Sequence, residues 1–218
     1  MPADGAAREL AMFPLGTVLL PGELLPLHVF EPRYRVMVTE LLGGTDPRPA
    51  TADGELGIVL IERGHEVGGG DARFDIACLA RVVRSERAPD GRFGVVVVGI
   101  APVTVERWLD ADPYPRAIVV ERVAPAPPAE ELTEAAARVR VAAYALAAAV
   151  GAVLDPEVMP DDPDTLVHRV ASGFGVGPLD RQRVLGAPGT VERLNVLADL
   201  LDDAVAIASL PRDEPPPQ

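Results

Sequence analysis

The pattern of hydrophobic and polar positions changes character about half-way along the chain. Over residues 1–123, short runs rich in β-branched residues alternate with turns marked by proline and glycine, a pattern typical of β-strands. Over residues 130–208, alanine and leucine recur at intervals of three and four, which predicts helices with one apolar face. The proline-rich segment 124–129 interrupts both patterns. We therefore expect a strand-rich subdomain, a helical subdomain and a disordered tail over residues 209–218.

The strand-rich part also carries one early helix. Pro32 is expected at the first helical position, where its missing N–H costs nothing, and Gly43 and Gly44 are expected to end the helix. The turn Ala88-Pro89-Asp90-Gly91 predicts a hairpin. Seven short strands with one helix indicate a small closed barrel. The expected strands are 10–13, 24–30, 56–62, 74–84, 92–100, 103–109 and 117–123.

The helical part is expected to form a bundle. Asp155-Pro156 ends the first helix, and Asp162 offers an N-cap for the second. In the last helix Val191, Leu194 and Leu197 fall on one face. The expected helices are 133–154, 165–174, 179–185 and 190–208. The predicted fold class is therefore α+β, a small β-barrel followed by an α-helical bundle.

Composition narrows the possible functions. The hydrophobic fraction is 48%, so the chain can bury a sizeable core. A formal net charge of −13 disfavours a nucleic-acid partner, since binding phosphates calls for a basic surface. No lysine occurs, which excludes a phosphate-binding P-loop lysine, a Schiff base and a Ser–Lys dyad.

The compartment is predicted from three further observations. Cys78 is the one cysteine, which excludes an internal disulfide framework and indicates a small core residue. The N-terminus shows no signal peptide, and the apolar run 141–154 is shorter than the ~20 residues needed to span a bilayer. We expect a cytoplasmic protein with no membrane partner.

Residues with possible chemistry are few. His168 and Ser172 lie four apart on one predicted helix face, but no third orienting group accompanies them. The glycines 68–70 lack a following helix, and the acidic run 161–164 lacks the spacing of an EF-hand. We therefore assign no catalytic residue, no metal site and no cofactor.

A long opening motif carries a family resemblance. Residues 12–34, MFPLGTVLLPGELLPLHVFEPRY, resemble the start of the amino-terminal substrate-binding domain of Lon protease, most closely its stand-alone bacterial members. Weaker matches are LGIV at 56–59, PDGR at 89–92, VVG at 97–99 and LDRQRVL at 179–185. The resemblance implies a PUA-like β-barrel followed by a helical bundle. It also implies a domain that recognises polypeptide substrates in a proteolysis-related role and has no enzymatic activity of its own.

Two functions from different classes follow. The first is a polypeptide-binding module for exposed hydrophobic segments of unfolded or damaged proteins, with a protease or chaperone as a candidate second partner. The alternative is an RNA-binding protein that uses the PUA-like barrel, which the acidic charge disfavours. A hydrolase built on His168 and Ser172 is the weakest hypothesis. The predicted substrate-binding residues are apolar side chains in expected loops or rims, each of which has core packing as its alternative: Leu24, Phe74, Phe93 and Trp108.

Overall fold

The computed structural model describes residues 7–43, 54–63, 72–122, 126–155 and 159–210. Within them lie six strands: β1 (Arg8–Leu15), β2 (Leu24–Val29), β3 (Glu55–Arg63), β4 (Ala72–Arg87), β5 (Phe93–Trp108) and β6 (Arg116–Glu121). The five helices are α1 (Pro32–Leu41), α2 (Ala129–Ala149), α3 (Pro163–Gly173), α4 (Pro178–Gly186) and α5 (Thr190–Ala208). The predicted mixture of strands and helices is confirmed. The glycines 68–70 and the tail from 211 lie outside the described residues.

The six strands form one sheet in the order β2-β5-β4-β3-β1-β6. β1 and β3 run parallel, and every other pairing is antiparallel. β6 pairs with β1 and also with β5, so hydrogen bonding returns to a strand already in the sheet. Pairing therefore runs in a closed circuit through β1, β3, β4, β5 and β6. β2 lies outside this circuit, on the first half of β5.

Both faces of the sheet carry apolar side chains. Alternate residues of a strand point to opposite sides of the sheet, and the two sets pack into two different clusters. One face contributes to a large cluster shared with the helices, which includes Ile58 of β3 and Leu166 of α3. The other contributes to a smaller cluster with members from all five strands of the circuit: Leu10, Met12, Val59, Ala77, Leu79, Val103, Val105, Ala117 and Val119. The strands and helices thus share one hydrophobic core, and a second core lies between the strands alone.

The strand boundaries differ from the prediction at one important place. Two strands were expected at 92–100 and 103–109, but β5 is continuous. Pro102 stays in the ladder opposite Cys78, and its carbonyl accepts a hydrogen bond from the Arg122 amide at 3.2 Å. Ile100 is an extra residue in the register with β4, and such a bulge bends a strand without ending it. Proline is tolerated near a bulge, so six strands form where seven were predicted.

The helices cover one side of the sheet. α2 packs against α5, and α3 and α4 complete the layer, with α4 against β4. The predicted α1 start at Pro32 and the Asp162 cap are confirmed, since the Asp162 carboxylate accepts from the Thr165 amide at 2.8 Å. The prediction of a helix over 133–154 is wrong at its end, because α2 stops at Ala149 and Gly151 follows with a φ of +71°. No helix among the described residues is long and apolar enough to cross a membrane.

Candidate functional site

The main candidate site is the outward face of β2 and the adjoining half of β5. Directly opposed residues of an antiparallel pair share a face, and the register sets Leu24 against Val98 and Pro26 against Val96. Leu24 is 61% exposed, and Phe30, directly after β2, is 53% exposed. Val96 and Val98 are half-buried. We call these five residues the apolar strip: Leu24, Pro26, Phe30, Val96 and Val98.

The free edge of β2 borders the strip. Among the described residues β2 pairs with β5 alone. The Gly99 amide donates to the Glu23 carbonyl at 2.9 Å, so the Glu23 carbonyl points towards β5. Because the backbone groups of successive residues point to alternate edges of a strand, those of Leu24, Pro26 and His28 point to the free edge. Proline has no N–H, so this edge offers a carbonyl but no donor at its middle position.

A cleft of about 360 Å³ opens along the same edge. Its lining includes Leu25, Leu27 and Phe30 from β2 and its end. Phe13 of β1 and Tyr34 of α1 also line it, and their rings stack with centroids 4.3 Å apart. The cleft and the strip together present an apolar surface with backbone polar groups at its border.

A buried ion pair holds β2 against the helices. Arg181 of α4 donates to the Glu23 carboxylate, and to the Val18 carbonyl at 3.0 Å from Nη2 and 3.2 Å from Nε. The Ser172 hydroxyl donates to the other Glu23 oxygen at 3.0 Å and accepts from Arg181 Nη1 at 3.3 Å. The Leu20 amide also donates to Glu23, at 3.0 Å. Glu23 directly precedes Leu24, so this network fixes the start of the strip.

The same network argues against the hypothesis of a hydrolase built on His168 and Ser172. The Ser172 proton is directed at Glu23, whereas His168 is buried with its ring against Gly22, where an added Cβ would lie 3.1 Å from Nδ1. Burial lowers the pKa of His168 below its ordinary value. The geometry gives Ser172 a structural contact to Glu23 in place of a histidine base. Among the described residues no group of three His, Cys, Asp or Glu side chains is placed to hold a metal ion.

The four residues selected from the sequence do not meet in one place. Leu24 belongs to the strip, whereas Phe93 is 3% exposed and lies under the Arg87 guanidinium, 5.6 Å from the ring centroid. Phe93 also lines a cleft of about 440 Å³ beside α1. Phe74 is half-buried against the large core.

Trp108 lies at the opposite end of β5 from Phe93. It packs against the smaller core, and the Arg73 guanidinium stacks 4.6 Å above its ring. The role of these four side chains in binding stays a prediction.

Sequence reasoning missed most of the strip. Val96 and Val98 sit in the run Val95–Val98, whose periodicity does not reveal which members face outward. Pro26 was a usable signal, because a proline inside a strand is typical of an edge strand. Phe30 was assigned to the strand itself, although it follows the strand's end.

A second apolar surface lies at the far end of the helices. This helical groove, about 850 Å³, is formed by the ends of α2, α3 and α5 and by the segment 152–155. Val153 is 98% exposed and Ile207 is 70% exposed. The helical groove is the natural comparison for any test of the strip.

Known proteins resemble the chain over most of its length. A family model described as the ATP-dependent protease La (LON) substrate-binding domain matches residues 9–203. Lon protease of Trichlorobacter lovleyi is 26% identical over 194 residues, which cover 82% of this chain and 24% of that protein. Lon protease of Geobacter metallireducens is 28% identical over 166 residues, which cover 70% of this chain and 20% of that protein. The chain thus spans about a quarter of the length of these curated relatives, or less.

Two solved structures are similar in fold. The N-terminal domain of Mycobacterium avium complex Lon protease has a TM-score of 0.63 at 19% identity, covering 90% of this chain and 99% of that one. The Lon N-terminal domain protein from Xanthomonas campestris has a TM-score of 0.59 at 20% identity, covering 88% and 98%. At such identities the likeness shows the fold alone. All five strip residues lie within the matched segment 9–203, whereas Ile207 of the helical groove lies beyond it.

Proposed function

The chain belongs to the family of Lon substrate-binding domains, and from that premise we propose that it is a non-catalytic module that binds exposed hydrophobic segments of polypeptides through the apolar strip. Unfolded or damaged proteins are its clients, and a protease acts on what it binds. Substrate binding is the role that the family's description gives to the matched domain.

The observation that carries the proposal is the pairing of exposed apolar side chains with an unpaired strand edge. Leu24 and Phe30 are more than half exposed and lie at the two ends of β2. Burying apolar area against a client contributes about 25 cal/mol per Å² and needs no defined sequence. An extended client also finds backbone groups at the edge of β2 for hydrogen bonding.

Side-chain contact is the main mode of binding in this proposal. The missing donor at Pro26 interrupts the edge, so a client strand cannot form a continuous ladder there. The helical groove has a comparable apolar lining, but it offers no strand edge to an extended chain. This difference favours the strip as the client surface.

The finer architecture is part of the same proposal. The closed circuit of strand pairing and the small core between the strands support the description of a PUA-like small barrel. The packing of α2 and α3 on α5 supports a helical bundle. The end of β6 at Glu121 and the start of α2 at Ala129 support a division into residues 1–123 and 130–208.

A titration with two matched variants tests the function. A fluorescent, reduced and alkylated small protein serves as the unfolded client. Leu24→Ser removes an exposed leucine and should weaken binding by about 1–2 kcal/mol, since only the part of the side chain that a client covers contributes. Val153→Ser makes a similar change in the helical groove and should leave binding unchanged. Both sites are exposed, so thermal stability should stay within about 0.5 kcal/mol.

The salt dependence of the same titration separates client classes. Apolar contacts are screened little, so affinity for the unfolded protein should be similar at low and high salt. Binding to RNA instead releases counterions and weakens steeply as salt rises. Weaker binding by Val153→Ser with normal binding by Leu24→Ser would move the client surface to the helical groove.

A further inference from the structure

Charged side chains of β4 border the apolar strip on the side away from the free edge. The β4–β5 register sets Arg81 against Val98 and Arg84 against Val96. Opposed residues of an antiparallel pair share a face, with Cβ atoms about 4.5–5.5 Å apart. Each strip valine therefore has a β2 residue on one side and an arginine on the other.

The two arginines differ in their partners. Arg81 donates to the Glu55 carboxylate at 3.0 Å, and Glu55 also binds Arg8 at 2.8 Å. Arg84 is exposed, and none of the described carboxylates lies within 4 Å of its guanidinium. In a chain of net charge −13, Arg84 is thus a cation beside an apolar surface, with no ion-pair partner among the described residues.

A negative charge follows Arg84 along this face of β4. Glu86 lies opposite Gly94, and Gly94 lies opposite His28. The positive charge of Arg84 therefore adjoins the middle of the strip, at Val96 and Pro26, and a carboxylate adjoins its His28 end. A client that follows the strip from Pro26 towards Phe30 meets a cation first and an anion next.

From this arrangement we infer that the strip selects, among apolar segments, those that carry a carboxylate side chain placed over Arg84. The inference rests on the proposed function and specifies its client class. A guanidinium binds a carboxylate through two parallel N–H donors, so this contact fixes the position of the segment as well as attracting it. Apolar contacts supply most of the affinity, and Arg84 supplies a preference for segments that carry a carboxylate.

The size of the preference follows from the exposure of Arg84. An exposed ion pair contributes little, and its contribution converts to about a two- to five-fold difference in Kd. High salt should reduce this difference towards one, since both charges are in contact with solvent. Affinity for an uncharged apolar segment should be the same at low and high salt.

Charge-exchange titrations test the inference. The probes are fluorescent apolar peptides, identical except for one central Glu, Gln or Lys. The native chain should bind the Glu peptide about two- to five-fold more tightly than the Lys peptide at low salt. Arg84→Glu should reverse this order. Arg107→Glu makes the same charge change at an exposed position near the far end of β5 and should preserve the order.

The possible outcomes separate the inference from the function on which it rests. Equal binding of the Glu and Lys peptides by the native chain, or a Glu preference that survives Arg84→Glu, overturns the inference and leaves the polypeptide-binding function intact. Loss of the preference in Arg107→Glu as well assigns it to net charge and also overturns the inference. Failure of all three peptides to bind, the Gln peptide included, overturns both.

Discussion

Removing Arg181 should destabilise the whole chain, because this side chain joins α4 to the segment before β2. Its side chain is 9% exposed, and that of Glu23 is 19% exposed. Breaking a buried ion pair by deleting one partner costs about 3–5 kcal/mol, since the remaining charge stays buried. Glu23 keeps its hydrogen bonds from Ser172 and the Leu20 amide, so we expect Arg181→Met to cost about 3 kcal/mol, at the lower end of that range.

Urea unfolding measures this loss, and a second arginine of α4 supplies the control. Arg183 pairs with Asp180, but both side chains are about half exposed, so Arg183→Met should change the free energy of unfolding by no more than about 0.5 kcal/mol. For a chain of this size a 3 kcal/mol loss lowers Tm by roughly 6–12 °C.

The contribution of the Glu23–Arg181 ion pair to stability can be measured separately by adding the variant Glu23→Gln. The double variant Glu23→Gln with Arg181→Met should lose less stability than the sum of the two single variants, because it leaves no unpaired buried charge. Equal losses for Arg181→Met and Arg183→Met, or strict additivity in the double variant, would refute the structural role of the pair.

Three further predictions concern single residues. Gly99→Ala should cost at least about 2 kcal/mol in urea unfolding, because the new Cβ would lie 2.2 Å from the Leu20 carbonyl oxygen, whereas Gly94→Ala on the same strand meets nothing within 4 Å and should cost far less. Burial lowers the pKa of His168 from its ordinary value of 6.5, so the unfolded chain takes up the proton more readily. Stability should therefore fall as the pH drops below about 6.5, and His168→Gln should flatten that slope in pH-dependent melting curves. Trp108→Ala should lower Tm, consistent with about 2 kcal/mol of lost packing, and leave client binding unchanged; reduced binding with an unchanged Tm would assign it to the client surface after all.

Much of the fold was predictable because local signals agreed with tertiary packing. Pro32 began α1 as expected, Asp162 capped α3, and the last helix matched its prediction at both ends. The hairpin at 88–91 forms with Gly91 at a φ of +82°, the conformation that glycine permits. Proline, aspartate and glycine each have one favourable backbone role at these positions, and the last helix has a regular apolar face.

Features that depend on partners far along the chain were not predictable. Pro102 indicates a break when considered alone, and only pairing with β4 and β6 on both sides keeps β5 intact through it. Aromatic residues were chosen as candidates because they are large and apolar, yet Phe93 faces the core while Val96 faces outward on the same strand. Periodicity cannot assign the outward face when both faces of a sheet are apolar. The residues of the strip could be identified only from the β2–β5 register.

The most direct test of the client surface is photo-crosslinking from a benzophenone side chain placed at one of two exposed positions. Position 28 lies on the outward face of β2 between Pro26 and Phe30, and position 153 lies in the helical groove. Both positions are exposed, so both substitutions should leave the chain folded, which melting curves verify. We predict that an unfolded client forms crosslinks from position 28 and not from position 153. Crosslinks from position 153 alone would contradict the assignment of the client surface to the apolar strip.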